Sequence, residues 1–360
     1  MKSIKNILST RYGIIAAGII IGLVAIVLQI NGNPANMAIC VACFIRDCAG
    51  ALGFHRAEPV QYLRPEIIGL AAGAALAAVI TREFRPRGGS STLTRFALGF
   101  FAVSGALIFL GCPWRAVLRL AGGDLNAVTG IAGLAAGIFA GTVFIRRGYS
   151  LGRSTTQKKS TSLVFILIVI GLFALALGSQ FFGITPPFVS LKGPGSQHAP
   201  FALSLAGGVI IGVVAQRSRF CTVGAFRDIF ILRELHLFKG ILFFFLTVLV
   251  FNLLTGRFHA GFENQPIAHN QHVWNFLGML LAGLSFTLAG GCPGRQVVLA
   301  GEGDNDSAVF VLGMVAGAAA AHNFQFAAGP AGIGAYSPVV LVIGLVFVTA
   351  LGFFSKEAAQ

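Results

Sequence analysis

Apolar residues run along the chain in long continuous blocks, not in alternation with polar ones. Ten blocks of about 16 to 21 residues stand out, at 13–30, 66–81, 94–110, 127–145, 163–183, 200–215, 238–256, 272–290, 306–322 and 338–354, close to the roughly 20 residues that cross a bilayer core as a helix. Lipid offers no partner to backbone N–H and C=O groups, so a spanning segment must satisfy them internally, and unbroken apolar runs exclude the alternating pattern of a barrel. The pattern predicts an all-α polytopic membrane protein with about ten transmembrane helices. Four shorter pieces, 36–53, 112–121, 220–232 and 292–301, are too short or too polar to cross and carry Cys and Arg. They are predicted to be re-entrant half-helices, because charge and irregular backbone at membrane depth are tolerated where protein buries them or where they line a watery cavity.

The chain repeats itself. Gly111-Cys112-Pro113-Trp114-Arg115 returns as Gly291-Cys292-Pro293-Gly294-Arg295, and the Gly-Asp that follows at Asp124 returns at Asp304, an offset of 180. Cys40-x5-Arg46-Asp47 returns as Cys221-x5-Arg227-Asp228, an offset of 181. The predicted layout is a first repeat over 1–148 with re-entrant pieces 36–53 and 112–121, a basic linker and connecting span over 149–199, a second repeat over 200–324 with re-entrant pieces 220–232 and 292–301, and a C-terminal span over 325–360. Four crossings per repeat and one connecting span start the second repeat from the opposite side, so the repeats are inverted. Inverted repeats with broken helices and a midplane site recur among secondary transporters.

The repeated motifs carry the candidate chemistry. Pro113 and Pro293 suit the first helical position, and Gly111 and Gly291 let the preceding backbone bend. Cys112 and Cys292 then sit at helix mouths, where free N–H groups and the positive dipole end attract an anion. Arg115 and Arg295 are placed to add a charge-assisted clamp, while Asp124 and Asp304 follow as helix stop signals. Cys40 shares a helix face with Asp47, as Cys221 does with Asp228, and Arg46 and Arg227 point elsewhere, toward pairing with another helix. Together Cys40, Cys112, Cys221 and Cys292 form a series of soft S–H donors suited to a large chalcogen anion. Cys43 and Cys48 have no repeat mates, and packing is the simpler role for Cys43. His259, His269, His272 and Glu263 fall in or beside one loop and read as a solvated loop; no metal site is expected. Gly133-x3-Gly137 and Gly313-x3-Gly317 mark close helix packing.

Composition and charge refine this picture. Only 11% of residues are charged and the mean hydropathy is +0.82, against roughly 25% charged in soluble proteins. Of the 26 Lys and Arg, 19 fall on one side of the predicted topology; Lys2, Lys5, Arg11 and Lys356 are among them. That bias is the positive-inside rule at work, so the +14 net charge calls for no nucleic-acid partner and both termini are predicted to be cytoplasmic. The first apolar run lacks a convincing cleavage site and reads as a retained helix. The six cysteines are too few and dispersed for a disulfide framework. No Gly-x4-Gly-Lys phosphate loop occurs; no cofactor is expected, and the chain is not expected to be an enzyme.

With these motifs in view, the chain resembles the YeeE/YedE family of bacterial inner-membrane sulfur- and selenium-compound transporters over essentially its whole length. The resemblance implies an hourglass-shaped helical protein whose short helices plug the middle, with Cys40, Cys112 and Cys292 passing thiosulfate by S–H hydrogen bonds and Cys221 the second-half mate of Cys40. Residues 33–67 resemble more closely the YedE branch linked to selenium metabolism. The family also implies a small cytoplasmic sulfur carrier of the TusA/SirA type as a companion. The reading from sequence is therefore an inner-membrane importer of a selenium- or sulfur-containing small anion, with membrane lipid as its surroundings. A thiosulfate importer of the same fold is the alternative, and a membrane thiol-redox or chalcogen-transferase protein using Cys40 and Cys43 is the rival from another class.

Overall fold

The computed structural model describes residues 10, 12–185 and 187–355; Lys2, Lys5, Arg11, Lys356 and the sidedness expected of the termini lie outside them. Fourteen α-helices make up the described fold. The long ones are α1 (Gly13–Ile30), α3 (Pro65–Ile80), α4 (Thr92–Phe109), α6 (Asn126–Arg146), α7 (Lys159–Phe182), α8 (Phe201–Ser218), α10 (His236–Leu254), α11 (His272–Ala289), α13 (Asn305–Asn323) and α14 (Ser337–Phe354). The short ones are α2 (Val41–Ala51), α5 (Pro113–Ala121), α9 (Thr222–Leu232) and α12 (Pro293–Gly301). A two-residue ribbon pairs Arg87–Gly88 with Thr155–Thr156. Among the described residues, nine segments are long and apolar enough to cross a membrane. The tenth expected span, α13, falls outside that group because Asn305, Asp306, His322 and Asn323 dilute its apolar run, yet it packs as the counterpart of α6.

Contacts between helices come in exchanged pairs. Helix α3 packs on α8 as α10 packs on α1, and α6 packs on α11 as α13 packs on α4. The short helices follow suit: α12 meets α3 as α5 meets α10, and α2 meets α13 as α9 meets α6. Each repeat thus completes the other. Only α7 and α14, which stand outside the repeats, break this exchange, and both present most of their surface outward.

Glycine sets how closely the long helices approach. A Cβ on Gly133 or Gly137 would strike the backbone oxygens of Phe276 and Leu280 on α11, and one on Gly313 or Gly317 those of Phe96 and Phe100 on α4. These are equivalent contacts, since Phe96 and Phe276, like Phe100 and Leu280, are 180 residues apart. Lipid tails are as apolar as leucine, so such close packing of backbones supplies much of the association of membrane helices.

Polar clasps gather at both ends of the bundle. At one end Glu83 accepts from Arg217 at 2.9 Å and Gln216 at 2.9 Å, and Arg219 spans Glu83 and Glu302. Arg87 pairs with Asp304 at 2.6 Å, and Asp306 takes the backbone N–H groups of Gly89 and Ser90. At the other end Arg64 reaches the carbonyls of Pro194 and Gln197, and residues 124 and 261 bridge.

Candidate functional site

Each short helix begins at a cysteine. Cys40, Cys112, Cys221 and Cys292 are the N-cap residues of α2, α5, α9 and α12, all with extended backbone. On α5 and α12 the next residue is the motif proline, whose missing N–H is no loss at the first helical position. On α2 and α9 the cysteine sulfur itself caps the helix, Cys40 Sγ accepting from Cys43 N at 3.4 Å and Cys221 Sγ from Gly224 N at 3.3 Å. All four are buried free thiols.

The four cysteines fall into two sites, each drawing one cysteine from either motif of the same repeat. In the first, Cys40 Sγ also accepts from Cys112 N at 3.4 Å. Cys43 joins this group, its sulfur accepting from Arg115 Nη1 at 3.3 Å. In the second, Cys221 and Cys292 are within hydrogen-bonding reach of each other, and the Thr222 backbone N–H reaches Cys292. Between the two sites stands Trp114, buried, with its ring edge-on to Phe220 at 5.8 Å and lying directly over Gly294. The first turns of α5 and α12 therefore meet through the residue that follows each Cys-Pro pair.

The arginines divide differently from the expectation. Arg115, fully buried, spends its other donors on the carbonyls of Asn36 at 3.2 Å and Ile267 at 2.8 Å, and no carboxylate lies within ion-pairing distance among the described residues. Its charge sits beside the first thiol site bound only to neutral acceptors, which leaves a net positive field there without an open clamp. Arg295 is neutralised by Glu302 at 3.2 Å. Arg46 and Arg227 do not pair across to another helix. Each folds back on the next residue, Arg46 to Asp47 at 2.7 Å and Arg227 to Asp228 at 2.8 Å. Arg64 closes the other side of Asp47 at 2.8 Å. One carboxylate thus serves two guanidinium groups in a site that water does not reach.

Gly111 lies against the Arg115 side chain, where a Cβ would collide with its Cδ, and Gly291 packs more loosely beside Arg295. Asp124 binds Arg119 at 2.5 Å and the Asn126 backbone, while Asp304 caps α13 through Ser307 N at 2.9 Å; both act on the helix that follows as much as on the one that ends. Cys48 is apart from both sites. Its sulfur accepts from Arg64 N at 3.4 Å and borders an apolar crevice of about 270 Å³. His269 is not part of a solvated loop; it is buried and bonds Ile108 O at 2.8 Å, and burial pulls its pKa down. A polar cavity of about 260 Å³ opens at this end of the bundle and includes Asn36, whose carbonyl holds Arg115.

Three participants carried no signal in the repeat comparison: Cys43, whose mate is Gly224, Trp114, whose mate is Gly294, and Thr222, whose mate is Val41. Position beside repeated residues was the available clue.

The fold and the paired thiol sites define a polytopic α-helical membrane protein with an internal repeat, in which four short helices begin at cysteines gathered in its interior. Residues 217–357 match the family described as Sulphur transport. The matched segment contains the second copies of both cysteine motifs, and the first half of the chain repeats those motifs. Similar proteins include the thiosulfate transporter TsuA of Spirochaeta thermophila, 34% identical over 97 residues, which are 27% of this chain and 28% of that protein. The thiosulfate transporter TsuA of Escherichia coli is 33% identical over 108 residues, 29% of this chain and 30% of its own. The matched segments span less than a third of either relative's length.

Proposed function

We propose that the chain transports a small sulfur oxyanion of the thiosulfate class across the bacterial inner membrane, inward through the two thiol sites in series. The observation that carries this reading is the placement of Cys40, Cys112, Cys221 and Cys292 at the mouths of the four re-entrant helices, gathered two by two in one buried region. Helix N-termini and the unneutralised Arg115 attract an anion. Thiols are weak, polarizable donors, so they match a large sulfur atom and release it readily, as conduction through successive sites requires. At Cys40 and Cys221 the sulfur accepts from the capping backbone N–H, so the S–H is the group each offers to a bound anion in place of its neighbouring thiol.

The similarity to proteins named thiosulfate transporters supports thiosulfate over a selenium anion, the reverse of the order read from residues 33–67. The end of the bundle that carries Arg87, Arg217 and Arg219 is assigned to the cytoplasm by the positive-inside rule, and its basic surface is the place for a TusA-like sulfur carrier to receive the product. Uptake of radiolabelled thiosulfate into cells lacking their own importers tests the reading, with selenite as a competing label. Accumulation that depends on the chain and is preferred for thiosulfate supports it. Accumulation of selenite alone moves the substrate to selenium, and no accumulation of either returns the thiol-redox reading.

A further inference from the structure

The two thiol sites are not equivalent, and the difference lies where the repeat is broken. The first site has a third thiol, Cys43, and the guanidinium that touches it is engaged: Arg115 bonds Cys43 Sγ, Asn36 O and Ile267 O. The second site has no third thiol and instead has two buried donors without partners, Trp114 Nε1 and Thr222 Oγ1. Trp114 is 2% exposed and Thr222 1%. The indole packs on the second motif: Cη2 and Cζ2 lie 2.7 Å, and Cε2, the atom bonded to Nε1, 3.2 Å from where a Cβ on Gly294 would sit. Thr222 stands between Cys221 and the rest of α9, its own backbone N–H directed to Cys292. Both residues depart from the repeat, Trp114 against Gly294 and Thr222 against Val41, so neither follows from the symmetry of the framework.

A buried hydrogen-bond donor with no acceptor is costly, and such a group in a folded protein calls for an explanation. We propose that Trp114 Nε1–H and Thr222 Oγ1–H, with the thiols of Cys221 and Cys292 at the N-terminus of α12, form an oxyanion subsite that binds the oxygen-bearing end of the transported anion. This rests on the transport reading above and adds to it a division of labour. The three-thiol site holds the soft terminal sulfur, while the indole and hydroxyl donors are hard groups that distinguish an oxyanion from an anion of bare sulfur. Glycine at 294 is what lets the indole lie over the second motif, so the subsite is built from both halves of the chain.

The test uses the full chain reconstituted in proteoliposomes and compares wild type, Trp114→Phe and Thr222→Val. Phenylalanine keeps a ring against Gly294 and removes the N–H; valine keeps the shape of threonine and removes the hydroxyl. Each variant is expected to raise the half-saturation concentration for thiosulfate about tenfold, the effect of losing a hydrogen bond to a charged group. Inhibition of that uptake by hydrosulfide, which has no oxygens, is expected to keep its wild-type strength. Half-saturation within twofold of wild type in both variants overturns the subsite, as does an equal loss of hydrosulfide inhibition, which marks general damage to the path. If wild type itself shows no saturable thiosulfate uptake, the transport reading falls, and the subsite with it.

Discussion

Cysteine is a poor helix cap. Serine, threonine, asparagine and aspartate fill that position in most proteins because their oxygens accept strongly from the first free N–H groups. Its place at the N-terminus of all four short helices is therefore not accounted for by the needs of the helix alone. The four residues were legible because identical residues recur at a fixed offset, which packing alone does not demand. Arg46 shows the limit of that method. Sequence places it on a helix face away from Asp47, but a long guanidinium side chain folds back on its neighbour, and Arg64, which completes the cluster, comes from a segment with no motif. Replacing Asp47 with Asn leaves Arg46 and Arg64 buried without a counter-charge. Thermal unfolding in detergent is expected to show a loss of about 3 to 5 kcal/mol, the range for breaking a buried pair from one side.

At the scale of the helix, composition alone locates the spans, because the length that crosses lipid and the apolar content that enters it are the same constraint. Helix α13 is the weakest case: its apolar run, read from sequence at 306–322, is diluted by polar residues at both ends, and its packing on α4 matches that of α6 on α11. The glycine stripes show that helix contacts are repeated as faithfully as motifs. Gly317→Leu pushes a branched side chain into the backbone of Phe100 and is expected to part α13 from α4, seen as aggregation or a much lowered melting temperature in size-exclusion and thermal assays. At the basic end, Glu83 is partly buried, which alone raises its pKa, but hydrogen bonds from Arg217 and Gln216 and the charge of Arg219 outweigh this and hold it below the ordinary carboxylate value. A carboxylate held low stabilises the fold above its unfolded pKa of about 4.3, and that contribution is lost as pH falls through the lower folded value. Melting curves of wild type and Glu83→Gln are expected to differ at neutral pH and to converge as pH falls below about 4.

The whole molecule is two half-structures, each supplying the packing surface of the other. The exchange of contacts between the halves brings four helix ends to one interior region, where Trp114 stands between the two thiol sites. The repeat was legible from the recurring motifs; the inequality of the two sites was not, because it resides in residues that lack mates. If both sites belong to one path, neither is dispensable. The direct measurement is the initial rate of thiosulfate uptake by proteoliposomes carrying wild type, Cys112→Ala or Cys292→Ala, with folding checked by size exclusion. A series path predicts that each single change, one in either site, abolishes uptake while the protein stays monodisperse. Uptake that survives either change at the wild-type rate would contradict a path through both thiol sites.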